Sequence, residues 1–257
     1  MKAVDLFHAE SGDAPDAVVL AHAIGCDHRM WDDLAARLSK SFRVIRFDAR
    51  GHGRSPVTPR PYSLEGLADD ARRLLDRLAI EKAHWVGLSM GAMIGMAFAI
   101  EHPGRLGRLV LANTTSSYGP EGRAMWEARA KAVKEGGLEA IEKMVMARYF
   151  SDDFRAAHAD VVATVARRFL ETPVEGYLAC CDAIADLDFT ADLPSIHHRT
   201  LVIAGALDAG TPPAMSEVIA SRIPGAQLAV IPGAAHLSAV EKPEPFGRLV
   251  ESFLAAP

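Results

Sequence analysis

The sequence predicts an α/β fold: a mostly parallel central sheet with helices on both faces and one all-helical insertion. Three observations carry this. Short apolar, β-branched runs alternate with helical periodicity along both ends of the chain. The turn Gly87-Leu88-Ser89-Met90-Gly91 joins one such run directly to an apolar helix. Between residues 114 and 195 the strand-like runs stop and helical patterns follow one another. At 257 residues, 49% hydrophobic and 24% charged, the chain suits a core of residues 1–113 and 196–257 with 114–195 as a helical cap.

Taken in order, the strand candidates are residues 18–21, 42–47, 84–86, 109–111, 201–203 and 228–231. Their brevity predicts strands buried on both faces. Leu67, Ala71, Leu74, Leu75 and Leu78 recur at helical spacing, with Asp69, Asp70, Arg72, Arg73 and Asp76 opposite. Helices are predicted over 125–134, 138–150, 154–170 and 175–184 in the insertion, and over 245–254 at the end.

Charge and cysteine usage narrow the function classes. The net charge is −5, and residues 114–195 hold 9 Lys and Arg against 14 Asp and Glu, while the rest balances at 19 against 19. No basic face emerges, which argues against nucleic acid. The longest apolar run is too short and glycine-rich to span a membrane. Cys26, Cys180 and Cys181 are odd in number and two are adjacent, the pattern of reduced thiols in a cytoplasmic protein. Cys180 and Cys181 fall on an apolar helical stripe and read as packing residues. The first residues show no signal peptide. The turn from Asp48 to Ser55 has neither Walker nor dinucleotide spacing, and His197-His198 lacks a ligand pattern, so no cofactor or metal is expected.

The chemistry centres on Ser89. A serine between strand and helix must take a cramped backbone, which the flanking glycines permit, and this nucleophile elbow sets the hydroxyl at a helix N-terminus. A serine needs a base, and the base needs a carboxylate to orient it. Asp208 follows the strand at 201–203, and His236 follows the strand at 228–231, in the order this arrangement requires. Asn113 stands where an alternative acid would follow the strand at 109–111, and Asp186 and Asp188 are the fallback acids. Two backbone N–H groups, of Ile24 and Met90, are the expected oxyanion donors. His22 is expected behind the oxyanion loop and His52 in a turn.

With these residues in place the chain resembles the α/β-hydrolases over nearly its full length. More narrowly it looks like the 3-oxoadipate enol-lactonases of aromatic degradation. That likeness rests on the elbow, on Leu109-Val110-Leu111-Ala112-Asn113-Thr114, and on Met125-Trp126 with Arg129. It continues through Arg148-Tyr149-Phe150, Glu175-Gly176-Tyr177, Cys181-Asp182-Ala183-Ile184 and Ala235-His236-Leu237-Ser238. It departs from the family at Ala23-Ile24, Ala92 and Ala239. The resemblance implies hydrolysis of a small ester or lactone through an acyl-enzyme on Ser89, without cofactor. A carboxylate on the lactone would call for a cation, with Arg129 or Arg148 as candidates beside Trp126, a solvated helix face being the alternative for each arginine. Rival readings are a general carboxylesterase, a perhydrolase or carbon–carbon bond hydrolase, and a ligand receptor that keeps the triad. A serine at the elbow excludes dehalogenase and epoxide-hydrolase chemistry.

Overall fold

The computed structural model describes residues 3–256. The chain runs through β1 (His8–Ser11), β2 (Ala17–Ala21), α1 (Asp32–Leu38), β3 (Arg43–Phe47), α2 (Leu64–Arg77), β4 (Ala83–Leu88), α3 (Met90–Glu101) and β5 (Leu106–Ala112). Then come α4 (Gly119–Gly136), α5 (Glu142–Tyr149), α6 (Asp152–Ala157), α7 (Ala159–Leu170) and α8 (Val174–Ala185). The chain closes with β6 (Thr200–Gly205), α9 (Pro213–Arg222), β7 (Gln227–Ile231), α10 (Ser238–Glu241) and α11 (Pro243–Ala255).

The strands form one sheet in the order β1-β3-β2-β4-β5-β6-β7, parallel except for β1. Strand β2 lies between β3 and β4, so the order reverses there and leaves a crevice at the C-terminal strand ends, where such sheets bind ligands. Registers Leu88↔Ala112, Ala112↔Ile203 and Gly205↔Ile231 bring the ends of β4 to β7 level with one another.

Each predicted strand coincides with an observed one, except that the run at 42–47 starts one residue early, Phe42 preceding β3. Strand β1, His-Ala-Glu-Ser, escaped prediction because it is a partly exposed edge without apolar alternation. The core is built around α3, buried at every position from Met90 to Ala99, as expected for a helix apolar on all sides. Trp85 of β4 stacks on Phe98 at 5.2 Å and donates its indole N–H to Gly91 O at 3.0 Å. Helix α2 buries Leu67, Ala71, Leu74 and Leu75, with Ser63 Oγ capping its start by accepting the Gly66 N–H. Its buried Asp70 takes a two-point bond from Arg50, at 2.7 and 2.6 Å, which fastens the turn at 48–55 to the helix.

Between β5 and β6 the chain forms helices and turns, apart from a single bridge between Ser117 and Asp188. The stretch expected as one helix over 154–170 is two: α6, capped by Ser151 Oγ, stops at His158 (φ −131°, ψ 49°) before α7 begins. The expected 138–150 helix opens as a 3₁₀ turn before α5. Helices α1, α9 and α10 were not anticipated; α10 is a single turn, and α1 has only seven residues.

Candidate active site

Ser89 leaves β4 with φ 55° and ψ −117°, a conformation L-residues avoid. The flanking glycines are sterically required: a Cβ on Gly87 would lie 2.3 Å from Gly91 O, and one on Gly91 2.0 Å from Ala21 O. Close packing of Gly91 on the end of β2 brings the start of α3 beside the loop at 22–25.

Asp208 and His236 stand on the loops after β6 and β7 and are joined by a 2.8 Å bond from the imidazole Nδ1 to Oδ2. Asp208 Oδ2 also accepts from Thr211 Oγ1 at 2.8 Å and Asn113 Nδ2 at 2.9 Å. Its Oδ1 accepts the N–H groups of Gly210 and Thr211, at 2.8 and 2.9 Å. Burial opposes ionisation, but the His236 charge and these donors outweigh it and bring the Asp208 pKa down to about 2. An ionised carboxylate only accepts, so Nδ1 carries a proton, and Nε2 is the ring nitrogen not committed to Asp208.

One short segment connects all three residues. Ala112 O accepts the Ser89 N–H at 2.9 Å, and Thr114 Oγ1 donates to Ser89 O at 3.1 Å. Between them Asn113 donates to Asp208 and to Ala235 O, while Ser238 Oγ donates to Asn113 Oδ1. Asn113 adopts a left-handed φ of 47° to make this reach. Among the described residues no hydrogen bond joins Ser89 Oγ to the His236 ring.

The loop at 22–25 is held by two buried histidines. His22 Nδ1–H donates to Ala23 O at 2.8 Å, and His22 Nε2 accepts the Ala49 N–H at 2.9 Å. His52 Nε2 accepts the Gly25 N–H at 3.0 Å. Both rings must therefore be neutral. Burial lowers both pKa values, that of His52 to about 3, with the neighbouring His22 adding to the effect. Ala23 O also accepts the Cys26 N–H at 3.1 Å, which turns the Ile24 N–H at the far side of that peptide away from the loop. Tyr149 donates its phenol to Ile24 O.

Over the loop stand α4 and α8. Arg129 of α4 is 6% exposed, 4.8 Å from the Trp126 ring centre and 5.5 Å from that of Tyr177. Its Nε and Nη2, the Trp126 Nε1 and the Tyr177 hydroxyl have no hydrogen-bond partner among the described residues. Tyr177 abuts the loop, since a Cβ on Gly25 would come within 3.3 Å of its ring. Among the described residues no carboxylate pairs with this buried guanidinium, which lies against the Trp126 and Tyr177 rings, so the anion that normally compensates such a charge is not supplied by them. Arg148, half-buried, packs its stem over Gly210 in the loop that carries Asp208 and reaches Met125 Sδ at 3.7 Å. Asp186 and Asp188 are exposed, and Asp186 pairs with Arg123. A cavity of about 310 Å³ between this loop and α7 is lined by Gly25, Asp27, Arg29, Val165, Arg168 and Leu237 among others, and not by Ser89, Asp208, His236 or Arg129. Asp27, His28 and Asp48 cluster on the outer side of the loop, where Asp48 is engaged by His28 and Arg54 and Asp27 by Arg29.

The family model described as the alpha/beta hydrolase fold matches residues 16–243. The chain belongs to the α/β-hydrolase fold family. This hydrolase is 34% identical to 3-oxoadipate enol-lactonase 2 of Acinetobacter baylyi, over 98% of its own length and 93% of the relative's. It is 32% identical to a candidate carbamate hydrolase, RutD, of Caulobacter segnis, over 93% and 91% of the two chains. Among solved structures, the enol-lactonase of Burkholderia xenovorans superposes with a TM-score of 0.94 at 35% identity, covering 98% of this chain and 97% of the other.

Sequence reasoning left several residues of the hydrolase site unread. His52 passed as a turn residue, because its bond to Gly25 joins loops 27 positions apart and no local pattern records it. Thr211 carries no signal beyond its turn context, and Tyr177 enters the sequence reading only within the likeness at Glu175-Gly176-Tyr177. Asn113 was noticed only as the absence of an acid.

Proposed function

We propose that this protein is a serine hydrolase of small carboxylate-bearing lactones, with 3-oxoadipate enol-lactone as its substrate and residues 114–195 as the cap that recognises it. The observation that carries the substrate reading is Arg129, a buried cation with unpartnered donors beside the oxyanion loop. A substrate carboxylate would supply the missing counter-charge, with the Tyr177 hydroxyl and Trp126 N–H as further donors. The enol-lactonase relatives support the same choice.

In this reading Ser89 Oγ attacks the lactone carbonyl as its proton passes to His236 Nε2, a contact that tightens when substrate is bound. The Ile24 and Met90 N–H groups take the oxyanion, and Asp208 stabilises the imidazolium. The ring C–O bond then breaks, the leaving enolate oxygen takes the proton from the His236 imidazolium, and the enol goes over to the ketone, which leaves His236 neutral for the second half-reaction. Enolate is a better leaving group than alkoxide, so the step demands less proton donation from His236. The leaving group stays tethered to the acyl chain, so water, activated by His236, must reach the acyl-enzyme before the ring recloses. Hydrolysis frees Ser89 and yields a dianionic product.

The test compares kcat/KM for the enol-lactone and for an uncharged chromogenic acetate. Arg129→Met is expected to lose about ten- to 150-fold on the lactone, the worth of a buried charge-assisted bond, and less than about threefold on the acetate. Its thermal stability should hold or rise, because an uncompensated buried charge is removed. Arg148→Met should change both substrates little. Equal small losses on both substrates in Arg129→Met would sink the carboxylate reading and leave a general carboxylesterase.

A further inference from the structure

Tyr149 touches both loops on which the proposed chemistry depends. It is the last residue of α5 and 2% exposed. Its hydroxyl donates to Ile24 O. Its backbone carbonyl, one of the last four of the helix and so without a partner inside it, accepts the Leu237 N–H at 2.9 Å. Its ring stacks on His236, 6.0 Å between centres and 19° from parallel.

Two successive peptide planes meet at Ile24, and both are pinned. The plane that carries the Ile24 N–H is held through Ala23 O, which accepts from His22 and from the Cys26 N–H. The next plane is held at both ends: Gly25 N–H donates to His52 Nε2, and Ile24 O accepts the Tyr149 phenol. Of these anchors only Tyr149 comes from the helical segment between β5 and β6. The same residue braces the base. The N–H groups on either side of His236 go to Tyr149 O and to Glu241 Oε2, and Glu241 also accepts from Ser151, two residues beyond Tyr149.

We infer that Tyr149 is a positioning residue: its phenol aims the Ile24 N–H at the developing oxyanion while its carbonyl and ring set the His236 loop, so the cap orders the catalytic core directly. The inference rests on the serine-hydrolase reading and adds to it a role that substrate binding alone would not require. Its signature follows from the geometry. The phenol is committed to a carbonyl, so it does not touch ground-state substrate, and its loss should fall on the transition state.

The experiment is Tyr149→Phe, which removes one hydroxyl and keeps the ring beside His236. A whole oxyanion donor is worth about 10²- to 10³-fold in kcat, and a misaimed donor should cost about tenfold. We expect kcat on a chromogenic acetate to fall about tenfold, KM to stay within about twofold, and the midpoint of the acid limb of the pH–rate profile to stay put. A trifluoromethyl ketone probes the oxyanion alone: Ser89 Oγ adds to its carbonyl, the proton passes to His236, and the hemiketal oxyanion occupies the hole. Its inhibition constant should weaken in step with kcat. A fall in melting temperature with kcat and inhibition unchanged would overturn the inference, as would a change in KM alone. Should Tyr149→Phe not fold, the other end of the peptide asks the same question. His52→Gln, whose amide oxygen can accept the Gly25 N–H, should retain most activity, and His52→Leu should show the tenfold loss; equal activity in the two would overturn the inference. Ser89→Ala separates the two claims. Hydrolysis that survives it would remove the serine reading itself, whereas an inactive Ser89→Ala beside an unaffected Tyr149→Phe would remove only this one.

Discussion

Ser89 holds a backbone conformation that costs about 1–3 kcal/mol, and the bonds to Ala112 O and Thr114 Oγ1 on either side keep it there. Because the backbone rather than the hydroxyl makes those bonds, Ser89→Ala should fold as the parent does and lose about 10⁴- to 10⁶-fold in kcat. His236→Ala should lose a similar factor, and the double variant little more, since the proposed nucleophile and base would act as one unit. Steady-state kinetics on the three variants checks this, and additive losses would break the pairing. Asp208→Asn should cut turnover by about thousands-fold, because an amide that donates to Nδ1 forces the wrong tautomer. At this scale the sequence was informative about placement: Asp208 and His236 stand on the loops after β6 and β7, and their side chains meet there. It was silent where partners meet across loops. Arg129 was visible as a cation on a helix, yet periodicity could not say that its face would be buried between Trp126 and Tyr177 rather than solvated.

Helix α8 meets the turn at 48–55 backbone to backbone. A Cβ on Gly176 would sit 2.1 Å from Gly51 O, and one on Gly51, itself at φ +77°, would sit 2.6 Å from Gly176 Cα. Gly176→Ala must therefore push α8 away by roughly an ångström, at a cost of about 1–3 kcal/mol. Tyr177 is the next residue, so the displacement should be felt first at Arg129. We expect a lower melting temperature and a larger loss of kcat/KM on a carboxylate-bearing lactone than on an uncharged ester; equal losses would mean that α8 does not set the anion site. The contact was hidden in the sequence. A glycine in a helical pattern reads as a mild defect, and only the three-dimensional approach of another glycine gives it a reason. The break at His158 was hidden for a related cause: residues 154–170 keep a helical apolar pattern across it, and only the Ser151 cap and the His158 dihedrals reveal two helices.

Over the whole molecule, acidification should act through the histidines that hold the loop at 22–25. His52 is neutral when folded, with its pKa brought to about 3 by burial. In the unfolded chain it titrates near 6.5, so the unfolded state binds the extra proton between those values. Its contribution to stability is whole above pH of about 6.5 and is lost as pH falls, by about 2 kcal/mol at pH 5. Asp208 adds nothing to this window, since its stabilisation is lost only between pH of about 4 and about 2. Urea denaturation at pH 7 and pH 5 should show the drop, and His52→Gln should flatten it; an unchanged slope in that variant would place the sensitivity elsewhere. The overall architecture was the most legible level of all. Buried parallel strands write themselves as short β-branched runs, while the edge strand β1, half in water, leaves no such mark.

The helical insertion departs and returns through β5 and β6, which are neighbours, and the Asn113 N–H donates to Ile203 O at 2.8 Å where the excursion starts. Such a doorway makes the insertion exchangeable. A foreign helical segment spliced between these two strands would leave every ladder bond of the sheet in place, so recombination can trade one appetite for another without rebuilding the machinery below. The trade has a condition, because Tyr149 arrives with the insertion and holds Ile24 from above. A graft that brings new walls but no phenol at that place would inherit Ser89, Asp208 and His236 and leave the Ile24 carbonyl without the bond that now holds it.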